Sequence, residues 1–209
     1  MVMTIQKIQL DYPACPAALH QAMQQAGVSA VWTLGNPAIL EAPLLGLFCS
    51  QKCPGDLIIR TLDTVRQLRD TGVPVIGGFH SPMEKECLDL LLRGTQPVVV
   101  CPARSIEGMR VPGGWRTSLT EGRLLVLSPF EGKRKRRMTA ELAQDRNRFV
   151  ALLASAVLTP YATPGGATEE LCREVMAHAK KVYTFETGHN RSLIEAGATA
   201  RMDFIRQEV

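Results

Sequence analysis

Arg146-Asn147-Arg148, then the apolar stretch Phe149 to Tyr161, then Thr163-Pro164-Gly165-Gly166-Ala167-Thr168-Glu169-Glu170-Leu171, is the run that decides the fold. It reads as a basic helical segment, a buried strand, a glycine turn and the next helix. Such a turn exposes backbone N–H groups and the positive end of a helix dipole. Two arginines add fixed charge suited to phosphate. The expected ligand carries phosphate, as a nucleotide or a nucleic-acid backbone.

Outward from this run, short apolar stretches alternate with helical patterns. Residues 29–34, 44–49, 73–77, 97–101, 124–128, 156–159 and 182–185 read as strands. Residues 56–70 have apolar positions at helical spacing, and Gly72 ends that pattern. Pro82 suits a helix first turn, Thr139 an N-cap, and 168–179 a further helix. Strands apolar throughout, alternating with helices, indicate a mainly parallel sheet covered on both faces. The expected fold class is therefore α/β, a Rossmann-like doubly wound sheet. Residues 1–43 are expected to form a short N-terminal extension packing on a core domain of 44–209. Residues 107–121 read as an excursion between strands.

The 209 residues suffice for one full core, and the net charge of +4 is only mildly basic. Any nucleic-acid affinity must come from local charge. The six cysteines form no Cys-x-x-Cys pair or zinc-ribbon spacing, so free buried thiols are expected. The four histidines form no nucleophilic triad pattern. The N-terminus lacks a signal-peptide pattern, and no apolar run is long enough for a membrane span. A cytoplasmic protein with no metal, no cofactor and no membrane partner is expected.

Three further segments belong to the candidate site. Ser50, Gln51, Lys52 and Gly55 lie where the 44–49 strand passes into a helix, and the loop could hold a phosphate or be an ordinary connection. Gly77 and Gly78 permit close backbone approach to a ligand. His80 and Glu84 after them could face the cleft, or could hydrogen-bond locally and favour the helix start. Lys133, Arg134, Lys135, Arg136 and Arg137 form a basic patch that is either a solvated loop or a set of phosphate contacts. In this reading Arg146 and Arg148 supply exposed charge, Asn147 orients them or the ligand, and Gly165, Gly166 and Thr168 sit at the helix start.

The chain resembles the DNA-processing protein A (DprA, or Smf) family in its Rossmann-like core. Tyr12-Pro13 and Gly35-Asn36 are similar to that family's entry motif. Arg146-Asn147-Arg148 with Ala156-Val157-Leu158 is similar to its Arg-Asn-Arg motif and following strand. Gly165-Gly166 falls at its Ser-Gly turn, and Asn190, Leu193, Ile194 and Gly197-Ala198 match its closing pattern. Cys49-Ser50-Gln51 stands where the family has Gly-Ser-Arg. Ser81 takes another arginine position and Glu84 an aspartate. The resemblance implies binding of single-stranded DNA, DNA processing or recombination, and a homodimer. A weaker similarity is to the Lonely Guy phosphoribohydrolases, carried by Pro164-Gly165-Gly166-Ala167-Thr168-Glu169-Glu170. It implies a nucleoside-monophosphate hydrolase with Glu170 as catalytic carboxylate and Arg146 or Arg148 on the substrate. A third possibility is a nucleotide-sensing or partner-binding protein without catalysis.

Overall fold

The computed structural model describes residues 4–132 and 138–200. It contains one eight-stranded sheet in the order β1-β2-β6-β5-β4-β3-β7-β8. The strands are β1 (Gln6–Gln9), β2 (Ala30–Gly35), β3 (Leu45–Leu47), β4 (Val75–Gly77), β5 (Val98–Val100), β6 (Leu124–Ser128), β7 (Ala156–Leu158) and β8 (Lys181–Tyr183). From β6 to β8 all pairings are parallel; β2 joins β6, and β1 joins β2, in antiparallel register. The fold is α/β, Rossmann-like and mainly parallel. The 1–43 stretch contributes β1 and β2 to the same sheet, and between them a helix, α1 (Ala17–Gln25).

The continuous apolar strands are explained by two cores. Side chains alternate across a strand. Val31, Ile76, Val99, Leu125, Leu127 and Val157 face a layer built by α1, α5 (Ala140–Leu153) and α6 (Ala167–Ala177). Trp32, Val75, Val98, Val100, Leu124 and Val126 face the opposite layer, built by α2 (Gly55–Thr71), α3 (Pro82–Leu91) and the short α4 (Arg116–Thr120). Over the central strands both faces are dry, so those strands need no polar side.

The helix ends follow local chemistry. Thr139 caps α5 by accepting from Leu142 N–H at 3.1 Å. Ser81 and Glu84 form a capping box at α3. Gly72 closes α2 in the left-handed region, φ +81°. The far end of α5 is held by Lys180, whose ammonium donates to the carbonyls of Ala151, Leu152 and Ala154. Gly35, at φ +113°, ends β2 where a Cβ would collide with the Leu124 carbonyl. The Gly35-Asn36 pair thus has a steric cause, and Asn36 then caps the following 3-10 turn (Pro37–Glu41) through Ala38 N–H.

Candidate phosphate cleft at the sheet switch point

After β3 the chain runs through α2 to β4 on one side; after β7 it runs through α6 to β8 on the other. Adjacent parallel strands with diverging exits leave a crevice beyond their carboxyl ends, the usual ligand position in open α/β sheets. A cleft of about 470 Å³ occupies that place. Its walls are the β3–α2 loop, the β4–α3 loop, one face of α5 and the start of α6. The volume lies in the roughly 300–1,000 Å³ range of small-ligand sites.

Two walls are tied together by one carboxylate. Glu84 is buried at the first turn of α3. Its Oε1 accepts from Cys49 N–H at 2.9 Å. Its Oε2 accepts from His80 N–H at 2.8 Å and Ser81 N–H at 3.3 Å. The carboxylate is therefore spent on backbone amides of both loops. The β3 loop is also fixed to the β7 side: Ser50 N–H donates to Tyr161 O at 3.0 Å, and Thr163 N–H donates to Ser50 Oγ at 2.9 Å.

Arg146 reaches the cleft floor from α5 and is only 3 % exposed, which corrects its expected exposure. Its Nη1 donates to the Cys101 carbonyl beyond β5 at 2.9 Å, and its Nε donates to Asn147 Oδ1 at 2.7 Å. Among the described residues it has no ion-pair partner. Burial pushes its pKa down from the ordinary arginine value, against the opposing pull of Cys101 and Glu84. The guanidinium lies over Gly78, where a Cβ would overlap it. Gly78 is needed for that approach. At Gly77 the packing is tight rather than prohibitive: a Cβ would lie 3.1 Å from the Phe79 ring and 3.2 Å from the Leu47 carbonyl, so those neighbours would have to give slightly.

The glycine turn before α6 is organised differently from the sequence expectation. Gly165 adopts φ +68°. Its N–H donates to Glu169 Oε2 at 2.8 Å, and Gly166 N–H donates to Thr163 O at 2.9 Å. Both amides are occupied within the turn. Burial raises the Glu169 pKa, but nearby Ser192, the Gly165 amide and Arg173 outweigh it and hold the carboxyl below its ordinary value. No side chain caps α6 at Gly166. The N–H groups of the first helical turn, at Ala167 and Thr168, have no intrahelical partner, and both residues line the cleft.

The structure brings Ser50, Gln51, Lys52, His80, Glu84, Arg146, Asn147, Gly166 and Thr168 to one cleft. Gly55, Gly77, Gly78 and Gly165 are not part of its lining. Arg148 points elsewhere: it forms a two-pronged pair with Glu174 of α6, both contacts at 3.2 Å, on an exposed surface. Glu170 lies with Arg148 in a smaller neighbouring groove of about 120 Å³. Lys133 to Arg137 lie outside the described residues. Sequence reasoning missed Ala140, Ala143 and Gln144, which share the cleft face of α5 with Asn147. Their helical spacing of three and four was a usable signal. Asn190 of the closing motif is buried and donates to the carbonyls of Pro160 and Phe185, pinning the β7 and β8 exits.

No family model and no curated protein matches the chain in sequence. Its fold is similar to solved structures. DNA processing protein A from Streptococcus pneumoniae superposes with a TM-score of 0.75 at 16% identity, over 94% of this chain and 70% of that one. The Helicobacter pylori DNA processing protein A, described for its single-stranded DNA binding mode, gives 0.72 at 14% identity, over 95% and 91%. A molybdenum cofactor binding protein from Rippkaea orientalis gives 0.51 at 10% identity, over 73% and 82%. The chain has the DNA processing protein A fold.

Proposed function

We propose that the switch-point cleft binds phosphate of single-stranded nucleic acid, foremost DNA, or of a nucleotide. The observation that carries this reading is a buried guanidinium, with no ion-pair partner among the described residues, facing the same cleft as the uncapped start of α6. A buried charge without a direct ion pair is costly even where it is hydrogen-bonded, and an anion in the cleft offsets that cost. Lys52 adds a cation at the exposed mouth, where a strand could pass. The fold likeness to a protein described as binding single-stranded DNA favours the same ligand here. We take DNA processing or recombination as the setting, the cytoplasm as its place and a homodimer as the assembly; light scattering tests the last. Among the described residues no helix is long and apolar enough to cross a membrane.

Binding is expected to weaken steeply with salt. If about four phosphates are neutralised, by cleft cations and the 133–137 run, log Kd changes with log salt at a slope of about 3. Fluorescence anisotropy with a labelled single-stranded oligonucleotide measures it. No binding at low salt overturns the nucleic-acid reading and leaves the small nucleotide.

The same cleft geometry separates binding from hydrolysis. Glu170 sits outside the cleft, and Glu84 is committed to backbone amides. Free base released from nucleoside monophosphates is expected to stay at the buffer control, followed by chromatography. Turnover abolished by Glu170→Gln would replace the binding reading with the hydrolase.

A further inference from the structure

The cleft does not end at its own wall. Gln144, Asn147 and Leu171 line both the cleft and the groove of about 120 Å³ beside it. Arg148, Leu171 and Glu174 line both that groove and a third hollow, of about 390 Å³. Shared walls join the three into one trough that leaves the cleft between α5 and α6, with the hollow at its far end. The floor of the hollow is Ala151 and Leu152 of α5 with Leu171 and Val175 of α6. Exposed polar side chains stand at its rim, among them Arg148, Glu174 and His178.

We propose that this hollow is the base subsite of the cleft: a nucleotide or single strand held by phosphate near Arg146 lays a base between α5 and α6. The placement rests on the functional reading above. A nucleobase has apolar faces and polar edges, and the hollow has an apolar floor and a polar rim. Small-ligand sites share that arrangement at this size. Phosphate is disfavoured along the trough. Glu170 and Glu174 bring carboxylates to the connecting groove. Of the cations, Arg148 is already paired with Glu174, and the Lys180 ammonium is spent on three carbonyls at the end of α5.

The distances suit one ligand. From Asn147 at the cleft to Leu152 at the hollow is five helical residues, about 7–8 Å along α5. That is roughly two stacked-base steps of a single strand. The base therefore belongs to the phosphate's own nucleotide or to an adjacent one. The Arg148–Glu174 pair links α5 to α6 at the threshold between groove and hollow. It is exposed, so parting it costs little. Once parted, Arg148 donates to the ring nitrogens and carbonyls of a base edge, and Glu174 accepts from its amines.

The test uses the full chain with a labelled single-stranded oligonucleotide and an abasic strand of the same length and charge. Fluorescence anisotropy gives the two Kd values. The floor carries no aromatic ring, so the gain sits at the lower end of what one base contributes, about fivefold in favour of the base-bearing strand. In Leu152→Ser the abasic strand is expected to keep the native Kd, which reports an intact fold and phosphate cleft, while the fivefold advantage falls towards one. Photocrosslinking reads the same placement without a substitution. Trypsin cuts after Arg173 and Lys180, and the peptide 174–180 contributes to the hollow but not to the cleft. An oligonucleotide carrying 4-thiothymine is expected to crosslink to that peptide, and excess unlabelled strand to displace it. Equal Kd values for the two strands, an advantage unchanged in Leu152→Ser, or crosslinks confined to other peptides overturns the base subsite and leaves the phosphate cleft standing. Failure of both strands to bind at low salt overturns the phosphate reading and the subsite with it. A base-bearing strand that binds and crosslinks at 174–180 while the abasic strand does not bind keeps the subsite and overturns the phosphate reading.

Discussion

Gly78→Ala and Arg146→Ala each lower stability by about 2–3 kcal/mol, and together they cost at least about 1 kcal/mol less than their sum. The first places a methyl group where the Arg146 guanidinium lies. The guanidinium must leave the Cys101 carbonyl or the two chain segments must part. The second removes the guanidinium, leaves that carbonyl without its 2.9 Å donor and opens space at the cleft floor. Losing a charged hydrogen bond costs about 1.5–3 kcal/mol. In the double variant the methyl occupies space already vacated, so the costs do not add. Urea midpoints at unchanged slope read all three values. Arg148→Ala is the control: its pair with Glu174 is exposed and contributes under about 1 kcal/mol. Additive costs for Gly78 and Arg146 would mean that they do not compete for one space. Arg146→Ala also weakens oligonucleotide binding beyond Arg148→Ala, measured well below the unfolding temperature.

Glu84→Ala is expected to cost more, about 3–5 kcal/mol, because it strands the N–H groups of Cys49, His80 and Ser81 together. It also removes half of the α3 capping box. Glu84→Gln keeps one acceptor oxygen but brings an NH₂ against a backbone N–H, and falls between the two. The loss should appear locally as faster amide exchange at Cys49 and His80, ahead of global unfolding. A cost under about 1 kcal/mol would mean water replaces the carboxylate at the cleft wall.

The core was legible in the sequence because both faces of the central sheet are dry, which leaves continuous apolar runs at residues 98–100 and 124–127. Thr139 and Gly72 announced helix ends through their own chemistry. The first two elements were hidden. β1 is Gln-Lys-Ile-Gln with a single buried residue, and α1 follows Pro16 with no side-chain cap and no first-turn acid. The roles of Arg146 and Arg148 were separable in principle: residues two apart on a helix are about 200° apart around its axis, so they do not share a face. What no local pattern carries is the use of the Gly165 and Gly166 amides by Glu169 and Thr163. A glycine turn advertises N–H groups without saying which are already taken.

The pairing of β3 with β7 joins Leu45 to Ala156 and Leu47 to Leu158, strands far apart in the chain. Closing so long a loop costs entropy before any contact repays it, and topologies of this kind fold late at such junctions. The cleft straddles that junction, drawing one wall from residues before α2 and the other from the start of α6. It therefore has no precursor in any shorter segment. During synthesis the chain offers no assembled anion site until α6 has emerged and β7 has docked, so capture of ligand reports that the central pairing is complete.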